Sequence, residues 1–149
     1  MSYPALTYVD STILTALIES GPIGDAVRRW FRHTHATWVS SEIALSRTLQ
    51  QLDTPERFSL PAVLEALHMG IAIRPLPWER LSGLVACSEL SLPDALELAA
   101  AHGWRCPELI SNNPALRQAA EASGLISHSI GLWATATVGD WPRRSPIPP

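Results

Sequence analysis

Two rhythms of apolar residues alternate along this chain: short β-branched or aromatic runs, and longer stretches with apolar positions at helical spacing. Leu6 to Val9 is a run ending at Asp10 and predicts a strand, whereas Ser11 to Glu19 carries Ile13, Leu14, Leu17 and Ile18 at helical spacing. Gly21-Pro22 breaks that pattern. Ile23, Ala26, Val27, Trp30 and Phe31 then recur on one side of an amphipathic helix, leaving Asp25, Arg28, Arg29 and Arg32 to face outward. Thr37 to Ser40 predicts a second strand, and Ser41 to Leu52 a helix with a serine cap. Asp53 to Ser59 contains Pro55 and reads as a loop, Leu60 to Met69 as a helix stopped by Gly70, and Ile71 to Pro75 as a strand. Trp78 to Glu89, periodic through Leu81, Leu84 and Val85, predicts another helix, as does Pro93 to His102 before Gly103. Glu108 to Ser111 is the next strand, Pro114 to Ser123 a helix with proline in its first turn and Gly124 beyond its end, and Leu125 to Ile130 an edge strand.

Strands alternating with helices imply βαβ crossovers, hence an α/β fold with a mostly parallel central sheet flanked by helices. Ligands in such sheets gather at the carboxyl ends of the strands, and Asp10, Asn113 and the Ser40-Ser41 turn all fall there. No repeat or interdomain linker is visible, so residues 1–131 are expected to form a single domain. Residues 132–149, ending Trp141-Pro-Arg-Arg-Ser-Pro-Ile-Pro-Pro149, hold too much proline for a helix or sheet and predict a loose tail.

Composition narrows the function classes. Hydrophobic residues make up 46% and charged residues 17%, a globular balance, and no apolar run approaches the ~20 residues of a membrane span. No basic region followed by a long apolar stretch opens the chain, so a soluble, cytoplasmic protein is expected. Cys87 and Cys106 belong to no paired ligand motif and read as buried or idle thiols. Net charge is −3, and all 11 basic residues are arginine, so there is no broad cationic surface and any RNA contact must be local. No histidine sits at metal-ligand spacing. Of the tryptophans, Trp30 and Trp38 read as core, Trp133 and Trp141 as candidates for a partner surface.

Three segments carry a family resemblance: Tyr8-Val-Asp10-Ser11-Thr12, Ser91-Leu-Pro-Asp94-Ala-Leu-Glu97-Leu-Ala-Ala, and Leu109-Ile-Ser111-Asn-Asn113-Pro-Ala-Leu. In this order they resemble the PIN domain, the metal-dependent ribonuclease fold of the VapC-type toxins, over residues 6 to 130. The resemblance implies an endoribonuclease in which Mg²⁺ or Mn²⁺ activates water against an RNA phosphodiester. Asp10 and Asp94 would be the metal ligands, Asn113 a third catalytic residue, Glu97 and Glu42 auxiliary acids, and Ser11 and Ser111 would hold the site. It also implies an RNA substrate, a small antitoxin protein and a homodimer. Each residue taken singly has a plainer reading, since Asp10, Asp94 and Asn113 all stand where helix caps stand.

Two positions depart from the family pattern. Where that pattern places a glutamate, this chain has Ser46-Arg47, with Arg47 in the aligned place; where it places a fourth aspartate, Asn113 stands. At ~4 Å and an effective dielectric of ~20, Arg⁺ beside a divalent ion disfavours it by about 8 kcal/mol before screening or movement. An amide keeps an oxygen but no charge. Two functions follow: a PIN-type endoribonuclease toxin of reduced activity, or an inactive homologue acting as a binding or regulatory module, with Arg47 neutralising the old pocket.

Overall fold

The strand built on Leu6–Val9 (β1) lies at the centre of a five-stranded, wholly parallel sheet in the order β3-β2-β1-β4-β5. This computed structural model describes residues 5–19, 21–52, 60–81 and 89–130. The expected loop after Asp53, Cys87, Trp133, Trp141 and the tail 132–149 fall outside them. The remaining strands are β2 (Thr37–Ser41), β3 (Ala72–Arg74), β4 (Glu108–Ile110) and β5 (Ile126–His128). The helices are α1 (Ser11–Ile18), α2 (Pro22–His33), α3 (Glu42–Gln51), α4 (Leu60–Leu67), α5 (Leu92–Gly103) and α6 (Pro114–Ala122). Strand order runs one way from β1 through β2 to β3 and the other way through β4 to β5, so the topological switch point lies between β1 and β4.

Because side chains alternate along β1, Val9 and Tyr8 serve opposite faces. Val9 and Ile110 pack with Ile13 and Leu17 of α1 and with Val27, Trp30 and Phe31 of α2. Tyr8, Val39 and Leu109 pack with Ala99, Ala100 and Ala101 of α5 and Leu116 and Ala120 of α6. On the first face the rings of Trp30, Phe31 and Trp38 meet with centroids 4.6 to 5.5 Å apart, so both tryptophans are core residues.

Two local expectations are corrected. Arg28, expected to face outward, is only 4% exposed. Its Nη1 donates to the carbonyls of Leu17 (2.7 Å) and Glu19 (3.0 Å), satisfying acceptors that the end of α1 leaves without helical partners. The helix expected over Trp78 to Glu89 is a single 3-10 turn, Trp78–Arg80, as far as Leu81; residues 82–88 fall outside the described set. Trp78 is 62% exposed, and among the described residues of this segment the buried contacts are made by Leu76 and Leu81.

A buried arginine-carboxylate cluster as the candidate site

Asp10 leaves the carboxyl end of β1 and caps α1: its Oδ1 accepts from the backbone N–H of Ile13 (3.1 Å) and the hydroxyl of Thr12 (2.6 Å). Its Oδ2 accepts from Ser111 Oγ, 2.5 Å away, across the switch point at the end of β4. Ser111 Oγ in turn accepts from the N–H of Asn113 (2.9 Å), and Asn113 caps α6 through its Oδ1, which accepts from the N–H of Ala115 (3.1 Å). That leaves the amide Nδ2 of Asn113 to donate to Asp94 Oδ2 (3.2 Å) on the first turn of α5.

Arg47 closes the circuit from α3. Its Nη1 lies 2.7 Å from Asp94 Oδ1 and 2.5 Å from Glu97 Oε2. Glu97, wholly buried, also accepts from Ser11 Oγ (3.1 Å), the N–H of Ser11 (3.1 Å) and the phenol of Tyr8 (3.0 Å). Ser41 Oγ accepts from the N–H of Ala44, so its own proton is free for the Tyr8 oxygen 2.8 Å away. The ring runs Asp10, Ser111, Asn113, Asp94, Arg47, Glu97, Ser11 and back to Asp10. It joins four elements far apart in sequence, at the place the sheet topology designates.

The electrostatics follow from burial. Desolvation raises Glu97 to about 7, the Asp10 charge adds to that, and Arg47 and the Tyr8 hydroxyl oppose it. Desolvation likewise raises Asp10 to about 6 against the hydrogen bonds of Ser111, Thr12 and Ile13 and the Arg47 charge. Arg47 is the cation common to both. Its side chain is 25% exposed, so the pairs are partly screened but far from solvated.

Asp10, Ser11, Arg47, Asp94, Glu97, Ser111 and Asn113 are therefore brought together. Glu42 is held elsewhere: its Oε1 accepts from the N–H of Leu76 (3.1 Å) just beyond β3, and the neighbour alternative, Ser46, is exposed on α3. Tyr8 and Thr12 belong to the cluster, although the sequence marked them only as part of a motif. Their signal was available in principle, because a buried phenol or hydroxyl requires a partner.

This fold has solved counterparts. A PilT N-terminus domain protein from the hyperthermophilic archaeon Sulfolobus solfataricus P2 superposes with a TM-score of 0.57 over 89% of this chain and 95% of its own, at 10% identity. This is the PIN fold. The VapC20 toxin of Mycobacterium tuberculosis, a Sarcin-Ricin loop cleaving toxin, shares that fold with a TM-score of 0.59 over 80% of this chain and 96% of its own, at 17% identity. No family model and no curated protein matches the sequence.

PIN domains of the metal-dependent kind need oxygens turned toward one common point for a hard divalent ion. In this PIN fold the inward atoms of Asp94 and Glu97 face a guanidinium, the Asn113 side chain presents its nitrogen to Asp94, and both Asp10 oxygens accept from local donors. Among the described residues no three or more His, Cys, Asp or Glu side chains are gathered closely enough to hold an ion. The arrangement suits an arginine and does not suit Mg²⁺.

Proposed function

We propose that this chain is a VapC-like PIN module that works by binding rather than by metal-dependent cleavage, its acidic pocket closed from within by Arg47. The observation that supports this reading is the double contact of Arg47 with Asp94 and Glu97. The same guanidinium that satisfies two carboxylates also opposes a divalent ion among them, and Glu97 already has donors on both of its oxygens. The partners that the resemblance supplies are a small antitoxin-type protein, an RNA and a second copy of the chain, acting in the cytoplasm. No helix among the described residues is long and apolar enough to cross a membrane.

A second reading, a Mg²⁺- or Mn²⁺-dependent endoribonuclease toxin of reduced activity, is favoured by the gathering of Asp94 and Glu97 about one nitrogen of Arg47, with Asp10 near enough to Glu97 for its charge to raise that carboxyl. It requires Arg47 to swing out and a metal to take its place.

Calorimetric titration with Mn²⁺, paired with incubation against an RNA carrying a sarcin-ricin loop, separates the two. The wild-type protein is expected to give neither binding heat nor cleavage. Arg47→Glu combined with Asn113→Asp is expected to acquire Mn²⁺ binding, because it exchanges one cation for an anion and one amide for a second acid. Metal uptake and cleavage by the wild type would overturn the binding-module reading. Failure of the double variant to take up Mn²⁺ would show that the pocket is misplaced.

A further inference from the structure

Remote from the Arg47 cluster, α2 and α4 border a cleft that plays no part in the reading above. It starts at Gly21 and Pro22, is lined by Arg28, Arg29, Arg32 and Glu65, and has a volume of about 480 Å³. That lies within the ~300–1,000 Å³ of typical small-molecule sites. A second hollow of about 330 Å³ shares Arg32 and extends to His35 and His68. The second hollow reaches Ala36 and Trp38 at the amino end of β2, whereas Asp10 and Ser111 stand at the carboxyl ends of β1 and β4.

The charges in the cleft do not cancel. Arg28 is occupied by the carbonyls at the end of α1 and by Asp25 at 2.6 Å, and Arg32 Nη1 lies 2.8 Å from Glu65 Oε1. Among the described residues Arg29 pairs with no carboxylate, and its Nε is buried without an acceptor. A buried N–H left without an acceptor costs free energy, more so on a charged group, so a ligand that brings oxygens to Arg29 recovers that loss. Three arginines against Asp25 and Glu65 leave one positive charge, carried on the planar fork that grips phosphate through two parallel hydrogen bonds.

We propose that this cleft is a binding site for a small phosphate-bearing ligand of nucleotide size, with Arg29 as the principal phosphate ligand and Arg32 beside it. A single phosphate group fits better than an RNA strand. Asp25 and Glu65 stand in the same cleft, and the chain as a whole carries a net charge of −3, so an extended polyanion meets repulsion that one seated phosphate avoids.

The test is titration of the full chain with inorganic phosphate, pyrophosphate and AMP, read by calorimetry and by the NMR signal of the Arg29 Nε–H, with adenosine and a short single-stranded RNA in parallel. AMP and pyrophosphate are expected to bind and to shift the Arg29 signal, whereas adenosine leaves it unmoved. Arg29→Gln should weaken AMP binding by about tenfold to a hundredfold, the worth of one charge-assisted pair. Glu65→Gln, which removes a repelling charge and weakens the hold on Arg32, should tighten it. Melting curves confirm that each variant is folded, and the wild-type NMR shift reads the contact without any variant. The proposal is overturned if no phosphate compound moves the Arg29 signal, if adenosine binds as well as AMP, if a folded Arg29→Gln protein binds unchanged, or if only the RNA binds.

Discussion

Replacing Arg47 by methionine is expected to lower folding stability by about 3 kcal/mol near pH ~8, and by far less near pH ~5. Methionine keeps an unbranched stem of similar reach, so the loss reports the guanidinium rather than a void. Removing one member of a buried ion pair strands the other, and here Glu97 is wholly buried and Asp94 is 12% exposed at its side chain. The direction with pH comes from the two raised carboxyls. Asp10 at about 6 and Glu97 at about 7 both lie above their ordinary values of 3.8 and 4.5, so the folded protein holds their protons more firmly than the unfolded chain does. The stability linked to them is fully present below the unfolded values and is lost as pH climbs through the folded ones. Arg47 pulls both carboxyls down and so limits that loss in the wild type. Without it both rise further. The variant then falls away from the wild type as pH increases, while at pH ~5 a protonated Glu97 no longer needs the cation. Urea unfolding of both proteins at several pH values measures the gap; a gap that stays constant from pH ~5 to ~8 would mean that Arg47 contributes packing and not charge.

The same cluster shows why the candidate site was partly legible from residue order alone. Asp10, Ser111 and Asn113 sit at strand ends, and strand ends are fixed by where an apolar run stops and a helical spacing starts. Capping and clustering also prove compatible. Asp10 caps α1 with Oδ1 and faces Ser111 with Oδ2, and Asn113 caps α6 with its oxygen while its nitrogen reaches Asp94. What spacing does not encode is the direction of a long side chain. Arg47 on an amphipathic helix had solvent and pocket open to it, and only the arrival of α5 against α3 supplies two carboxylates within 2.7 Å of one nitrogen. Glu97, three residues after Asp94 on the same helical face, was legible as a neighbour, but its burial depends on Tyr8 and Ser11 lying beneath it.

At the level of the fold, the alternation of runs and periodic stretches placed every described strand, most sharply β1, β2 and β4, which run into helices capped by the side chains of Asp10, Ser41 and Asn113. The miss at Arg28 has a tertiary origin. Arg28 was assigned to solvent by its charge and its position opposite Trp30, yet it is the carbonyl ends of α1, absent from any local window, that decide its place. The helix expected from Trp78 opens instead as a single 3-10 turn, with Trp78 62% exposed.

The largest backbone effect is expected at that α1–α2 junction, where Gly24→Ala should cost about 3 kcal/mol and lower the melting temperature by roughly 10 °C. Helix propensity alone argues the other way, since alanine is better than glycine in a helix interior by up to ~1 kcal/mol. Space decides against it. A Cβ on Gly24 would lie 2.1 Å from the carbonyl oxygen of Glu19, 2.9 Å from Arg28 Nη1 and 3.1 Å from the carbonyl oxygen of Ala16. The Glu19 and Ala16 oxygens are backbone and cannot rotate aside, so α2 must lift from the end of α1. That movement also strains the bonds from Arg28 to Leu17 and Glu19, which hold the same junction. Gly24→Ala and Arg28→Met should therefore be less than additive when combined, because either one alone already loosens the contact the other needs. Thermal unfolding of the two single variants and the double variant decides the matter: full additivity separates the glycine from the arginine, and a Gly24→Ala protein that melts above the wild type removes the close approach from the account of this fold.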